Sequence, residues 1–410
     1  FDINDNWTRP TEWVDLNVPD GVPEKIIGLV AVYPNERAAQ NYVAFNLDTD
    51  DGSSYTVDWG DGNVETVGHN VTYHHVYDYD DLPSSTEFRG YRQARFEVTL
   101  GAGVKFGTFG GSGGQINFDI DGPYVTYANY AHRCGSNILD LFVSSSGATT
   151  ATLSYIRPLR MVEQIEYRNT ANNRIQIPDR LYQGCRSLQS IPFVPYVRNA
   201  GSEDYLRAFY DCRSLRALPD GFADADKFWF KNPSRLQNTF DMCYALKYLP
   251  KNLFGTSELT SCNSFYMMFR ECRSLRYIPY LPVRSNSTVD LRYTFFNCLD
   301  LKAIPQGFHI KNVTGSGLLG TFQTCRECYD FSALGGEAND LRSIQTTTIT
   351  MQQAFANLDQ LIEFPFIGQF TQCTNATMMF YAASQMLKFD DQYTYLDFTQ
   401  CADMQQTFYA

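Results

Sequence analysis

The stretch Leu206-Arg-Ala-Phe209-Tyr-Asp-Cys212-Arg-Ser-Leu215-Arg-Ala-Leu218-Pro219 is one copy of a frame that fills more than half of the chain. The frame returns at Leu236…Phe240…Cys243…Leu246…Leu249-Pro250, at Phe265…Phe269…Cys272…Leu275…Ile278-Pro279 and at Leu291…Phe295…Cys298…Leu301…Ile304-Pro305. A shorter copy, Tyr182…Cys185…Leu188…Ile191-Pro192, precedes them. Weaker copies follow at Phe322…Cys325, at Met351…Phe355…Leu358…Leu361…Phe364-Pro365 and at Phe380…Ala383…Met386…Phe389, and a ninth begins at Met404…Phe408. The period averages about 28 residues, and a fixed period in that range is the signature of a solenoid. An apolar residue, Phe four later and Cys three after that fall at i, i+4 and i+7, one face of a short helix. Leu and Ile three and six beyond the Cys carry the apolar side into an extended segment, which proline then ends. The expected unit is a short helix, a short strand and a variable return loop, stable only when eight or nine such units stack.

Bulk composition agrees with a packed protein. Of 410 residues, 44% are hydrophobic and 19% charged, which excludes a disordered chain. The net charge of −12, with no basic domain, argues against nucleic acid as a partner. No apolar run is long enough to insert in a membrane as a helix. Six of the 11 cysteines, Cys185, Cys212, Cys243, Cys272, Cys298 and Cys325, hold one frame position. Either they form a disulfide ladder or they are small buried hydrophobes. Leu358 and Ala383 replace Cys in later copies, which favours packing, and unbridged thiols fit folding in a reducing cytoplasm. Cys325-Arg-Glu-Cys328 is a lone CxxC without a second pair or a nearby histidine, a weak metal or redox signal. Cys134, Cys262, Cys373 and Cys401 fall outside the frame.

Ahead of the repeats the chain reads differently. Residues 1–25 carry Trp7, Trp13 and prolines at 10, 19 and 23 without periodicity, an extended arm. Its tryptophans either dock on a carrier or pack on the next domain. Residues 26–104 contain short alternating strands separated by turns, the pattern of an all-β sandwich. Asp58-Trp59-Gly60-Asp61-Gly62, His75-Val76-Tyr77 and the strand ending at Leu100 resemble the PKD family of immunoglobulin-like domains. That resemblance implies a spacer or binding module, with Asp58 and Asp61 structural rather than catalytic. Residues 105–180 read as a transition and cap. Gly107–Gly114 lacks a phosphate-binding pattern. Asn117–Ala128 opens like a calcium loop but ends without the required Glu; Asp48-Thr-Asp50-Asp51-Gly52 is a second acidic turn. Val125…Cys134…Ile138…Leu141 and Ile156…Leu159…Val162…Ile165 read as degenerate first turns of the solenoid.

The repeats over 181–410, best seen in Met268-Phe269-Arg-Glu-Cys272-Arg-Ser-Leu275, resemble the BspA-like leucine-rich repeats of bacterial surface proteins. The combination with a Trp-Gly-Asp-Gly sandwich also resembles structural proteins of tailed marine phages. Both imply an irregular leucine-rich solenoid behind an immunoglobulin-like domain, used for adhesion or assembly outside a cell or on a virion. A search for chemistry finds no Gly-x-Ser-x-Gly and no histidine beside a nucleophile. No cofactor or metal is expected, and a polysaccharide depolymerase stays open because paired carboxylates are visible only in three dimensions.

One surface feature emerges from the alignment. The residue after the frame Cys is Arg186, Arg213, Arg273 and Arg326, with Tyr244 and Leu299 between, and the residue four after it is Arg216, Lys247, Arg276 and Lys302. Stacking turns each set into a basic column. The columns either recognise an anionic glycan or an acidic neighbouring subunit, or are solvated and paired with Asp211 and Glu271 of adjacent repeats. The ninth copy, stopping short of its Cys, leads to the expectation that further chain or another subunit covers that end.

Overall fold

The computed structural model describes residues 7–34, 41–107, 115–118, 137–146, 152–153, 159–169, 180–191, 203–218, 230, 233–251, 253–254, 259, 261–283, 289–308, 310, 313, 315–334, 349–364, 368–369, 373–386, 388–389, 394–395 and 401–409. The chain divides into two compact units, Phe1–Arg198 and Asn199–Ala410. Strands and turns account for almost all of the described structure. The helical segments among these residues are two 3-10 turns, Ser84–Thr86 and Ser332–Leu334, and no described helix is long and apolar enough to cross a membrane.

The first unit is built on two sheets. One holds β1 (Lys25–Val32), β3 (Tyr55–Asp58), β4 (Val64–Val67), β6 (Arg92–Thr99), β8 (Ile138–Ser145) and β10 (Gln164–Asn169) in the order β10-β8-β1-β6-β3-β4. The other holds β2 (Tyr42–Leu47), β5 (Tyr73–Val76), β7 (Gln115–Asn117) and β9 (Thr152–Leu153) in the order β5-β2-β7-β9. Strand β1 lies between antiparallel β6 and β8 and is buried on both faces, as its unbroken apolar run requires. Phe45 of β2 packs against Tyr55, Trp59 and Phe96 of the other sheet, with ring centroids 5.6–6.4 Å apart. Gly28 exists for this packing: a Cβ there would meet the Phe96 ring at 2.2 Å.

The opposite face of β1 is closed by the N-terminal arm. Trp13 and Leu16 pack with Ile27, Leu29, Ala31, Tyr91, Leu139 and Phe142, and the Trp13 indole donates to Tyr91 Oη at 3.1 Å. Arg9 reaches the buried Asp140 of β8 at 2.7 Å and donates to the carbonyls of Trp13 and Val14. Of the two readings of the arm, packing on its own domain is the one the structure shows.

The expectation of a solenoid cap over 105–180 is corrected in part. Ile138 and Leu141 lie in β8, inside the first unit's sheet, because that strand covers β1. Leu159, Val162 and Ile165 do keep the repeat register: the Ser187 amide donates to Arg160 O and that of Gln189 to Glu163 O, and Gln164 bridges Ser190 in parallel. The copy around Cys185 therefore extends the edge of β10 and belongs to the first unit, not to a separate block beginning at 181. Val125, Cys134, Ile156, the calcium-like loop from residue 119 onward and most of the glycine-rich stretch lie outside the described residues.

In the second unit the expected short helix is not formed. Its place is taken by a ribbon of turns whose amides alternate. In the copy around Phe209, Arg207, Phe209 and Asp211 donate to Gln237, Thr239 and Asp241 of the next copy, while Ala208, Tyr210 and Cys212 donate to the residue three before. A helix would spend every amide within its own turn; alternation leaves four in this copy, counting that of Tyr205 to Arg235 O, to bond the neighbour. The third position of every second turn has positive φ, for example Arg207 and Asp211, Met267 and Glu271, Tyr293 and Asn297, as a type II turn demands. Helix and ribbon bury the same spacing, so the apolar pattern did not distinguish them.

Further pairing holds the copies on either side of the ribbon. Before it lie the parallel pairs β11 (Glu203–Asp204) with β12 (Pro233–Arg235) and β13 (Ile349–Thr350) with β16 (Cys373–Asn375). After it lie the bridges Ala217↔Tyr248↔Tyr277 and the pair β14 (Glu363–Phe364) with β17 (Lys388–Phe389); β15 (Gly368–Gln369) pairs with β18 (Thr394–Tyr395) in a return segment.

The core is a file of phenylalanines. Phe209, Phe240, Phe269, Phe295, Phe322, Phe355, Phe380 and Phe408 follow one another with centroids 5.2–5.9 Å apart and planes within 20°. The first seven are buried. Beside them the frame thiols do more than fill space. Cys243, Cys272, Cys298 and Cys325 donate to the carbonyls of Phe209, Phe240, Phe269 and Phe295 in the preceding copy, at 3.0–3.1 Å. Thr239, Thr294 and Thr321, one before each Phe, bond carbonyls of the preceding copy in the same way. All six frame cysteines are buried and unbridged. Cys328 explains the lone CxxC: it stands at the frame's Leu position, three after Cys325, and is buried there.

Candidate ligand-binding face

Two rows of side chains come forward along the bonded copies of the second unit. In the row one after the frame Cys, Ala245 N–H bonds Arg213 O, Ser274 N–H bonds Tyr244 O and Asp300 N–H bonds Arg273 O. These bonds set Arg213, Tyr244 and Arg273 side by side, and both guanidinium groups lie over the Tyr244 ring, at 5.5 and 4.8 Å from its centroid. Arg213 pairs with Asp211 at 2.6 Å and Arg273 with Glu271 at 2.8 Å. Pairing therefore occurs within one copy, two residues back, and not with adjacent copies as expected, because the ribbon folds position −1 onto position +1. This row is largely neutralised. Arg326 is exposed at the same place, and Arg186 is half-buried in the first unit.

Backbone bonds also set the second row, Arg216, Lys247, Arg276 and Lys302. Lys247 N–H donates to Arg216 O, Arg276 N–H to Lys247 O and Lys302 N–H to Arg276 O, at 2.8–3.3 Å. Four cations thus recur at the spacing of bonded chains, about 4.8 Å. Lys302 is also paired with Glu327 of the next copy. Beside this row runs one of tyrosines that the frame spacing does not single out. Tyr248 and Tyr277 follow Lys247 and Arg276 directly and bridge each other, and Tyr277, 40% exposed, bonds Tyr329, 62% exposed. That bond raises the Tyr329 hydroxyl above its ordinary pKa. The signal was present in the alignment, five residues after the Cys, but only two copies carry Tyr there.

Trp7 and Trp13, also candidates for partner contact, are used internally. Trp13 is 3% exposed, and the Trp7 indole donates to Glu163 while its ring packs on Trp13.

Several of the described acidic residues, and His75, are engaged in structure. Asp58 and Asp61 accept the amides of Gly60 and Asn63 in the Trp59–Asn63 turn, and Gly60 must be glycine because a Cβ would strike Arg95 O at 2.2 Å. Asp61 also meets His75 Nε2 at 2.7 Å, and the His75 ring stacks on Trp59 at 4.5 Å. Burial opposes the Asp61 charge, but the Asn63 amide and His75 outweigh it and hold the carboxyl below its ordinary range. Asp50 and Asp51 accept the amides of Lys105 and Ser53. Among the described residues no three His, Cys, Asp or Glu converge as metal ligands; His132 and His309 lie outside them.

No family model matches the chain, and no curated protein matches it. Among solved structures, it is similar to a leucine-rich cell-surface protein of Faecalibacterium prausnitzii A2-165. The two are 13% identical, with 72% of this chain and 94% of the other covered and a TM-score of 0.24. A likeness of that size carries no functional argument.

Proposed function

We propose that this chain is a non-enzymatic adhesive or structural protein of a virion or cell surface, an irregular leucine-rich solenoid behind a PKD-like, immunoglobulin-like domain. The observation that carries the reading is the row Arg216, Lys247, Arg276 and Lys302, held at a fixed repeat by backbone bonds and flanked by exposed tyrosines. Regularly spaced cations beside aromatic faces suit an anionic glycan: the cations meet carboxylate or sulfate groups, and the rings lie against the sugars. Repetition converts weak contacts into avidity. The reactive groups of the core support binding over catalysis, since the frame thiols and the Asp61–His75 pair are occupied in holding turns and copies together.

The test is retention on an immobilised sulfated polysaccharide, with Lys247→Glu/Arg276→Glu as the variant. Tenfold or greater loss of affinity, about 1.4 kcal/mol, with an unchanged melting temperature is expected. Unchanged retention would remove this face from the proposal. Immunogold labelling of virions and cells tests location, and signal confined to the cytoplasm would end the surface reading.

A further inference from the structure

We propose that Cys373 and Cys401 form a disulfide when the protein meets an oxidising thiol–disulfide couple, joining the copies at 373–386 and 401–409 covalently. The pair is separate from the binding face and does not depend on it.

Register places the two thiols together. Asn375 and Asp403 are parallel partners, the Ala402 amide donates to Thr374 O at 3.0 Å, and that of Ala376 donates to Asp403 O at 2.9 Å. Cys373 and Cys401 each stand two residues before that pair, so both side chains project on the same side of adjacent segments. Each thiol contacts the carbonyl two residues ahead, Asn375 O at 3.5 Å and Asp403 O at 3.2 Å, and the Cys401 thiol is close enough to act electrostatically on Cys373. Adjacent bonded chains lie about 4.8 Å apart, within the Cα separation of about 4.4–6.8 Å that a disulfide spans.

The other described cysteines lack this arrangement. Cys262 holds the same place before Ser264, but in the preceding copy that place is Pro233. Each frame thiol from Cys243 to Cys325 is fully buried and directed at a Phe carbonyl. Cys401 is partly exposed and admits an oxidant; Cys373 is 2% exposed.

Exposure fixes the order of events with glutathione disulfide as oxidant. The Cys401 thiolate attacks one sulfur of glutathione disulfide and releases one glutathione. Cys373 then gives up its proton and attacks the Cys401 sulfur, releasing the second glutathione, which takes that proton. Two protein thiols are oxidised and one glutathione disulfide is reduced to two thiols. Burial, followed by the neighbouring Cys401 thiol, pushes Cys373 up to about 12. The second step is therefore the slow one, and it accelerates as pH rises.

The experiment treats the whole chain with glutathione disulfide, blocks remaining thiols with iodoacetamide and maps tryptic peptides without reduction. Cleavage after Lys388 separates the two cysteines. The expected product is the peptide ending at Lys388 linked to the one beginning at Phe389, lighter by two hydrogens than the sum of the reduced pair. Cys373→Ser should arrest the reaction as a glutathione adduct on Cys401, and Cys401→Ser should leave Cys373 alkylatable after unfolding. Alkylation of both cysteines in the wild type, a persistent glutathione adduct on wild-type Cys401 at pH 9, or a bridge to any other cysteine would each overturn the proposal. Should the variants misfold, the wild-type map alone decides.

Discussion

Asp140 carries a carboxylate to a point 1% exposed in the first unit, with Arg9 as its ion-pair partner. Burial raises its pKa even though Arg9 pulls the other way, so desolvation outweighs the pair. Removing one member of a buried pair leaves an uncompensated charge. Arg9 is 26% exposed and water can partly replace it, so Arg9→Ala should cost about 2–3 kcal/mol in urea unfolding at pH 7, toward or below the low end of the range for such losses. The sign of the pH effect follows. A carboxyl whose folded pKa is raised contributes stability below its unfolded pKa and loses it as pH rises through the folded one. The gap between variant and wild type should therefore shrink on acidification, and a constant gap would place the loss in packing on Trp13. Asp61 behaves oppositely because its folded pKa is lowered. The deficit of Asp61→Asn should be complete at neutral pH and vanish as pH falls through that folded value.

At the scale of the element, the phenylalanine file makes each ring the neighbour of two others. Phe269 stacks on Phe240 at 5.5 Å and on Phe295 at 5.9 Å. Phe269→Ala should cost about 3–5 kcal/mol, the range for emptying a buried aromatic site, measured by chemical denaturation. Because the rings touch, Phe240→Ala/Phe269→Ala should lose less than the sum of the single changes. Additive losses would mean that the rings pack as independent sites. The file itself was legible from the repeated Phe. The ribbon was not, for a physical reason. Its left-handed positions are filled by Arg207, Met242, Met267, Tyr293 and Gln353 far more often than by glycine, so the usual turn signal is missing. What holds them there is the next copy's carbonyl, a non-local partner that no window of sequence contains. Strand β8 was misread for a related reason: Ile138 and Leu141 fit a repeat spacing, and only pairing with β1 reveals them as sheet. The second cysteine place, seven before the Phe at 262, 373 and 401, could have been read from the sequence by aligning copies on Phe instead of Cys.

For the whole molecule, a net charge of −12 opposes an anionic ligand at long range, while the row from Arg216 to Lys302 attracts it locally. The two effects separate with pH. The sequence pI is about 4.9, so lowering pH from 7 to 5 protonates histidine and part of the carboxylates and brings the net charge near zero. Lysine and arginine stay charged throughout, and so does a sulfate ester. Repulsion therefore fades while the local attraction persists. Affinity for a sulfated polysaccharide should rise between pH 7 and pH 5, most strongly at low ionic strength, where the screening length is about 30 Å at 0.01 M against about 8 Å at 0.15 M. Neutralising the row with Lys247→Ala/Arg276→Ala should lower affinity at both pH values and leave the pH-dependent gain in place, because that gain comes from distant carboxylates. Surface plasmon resonance at pH 5 and 7, each at two salt concentrations, measures all of these terms. A pH gain that disappears in the double variant would show that it comes from groups beside Lys247 and Arg276 and not from distant carboxylates. An affinity that falls on acidification would mean that ionised carboxylates of the protein organise the face, and would count against an anionic ligand.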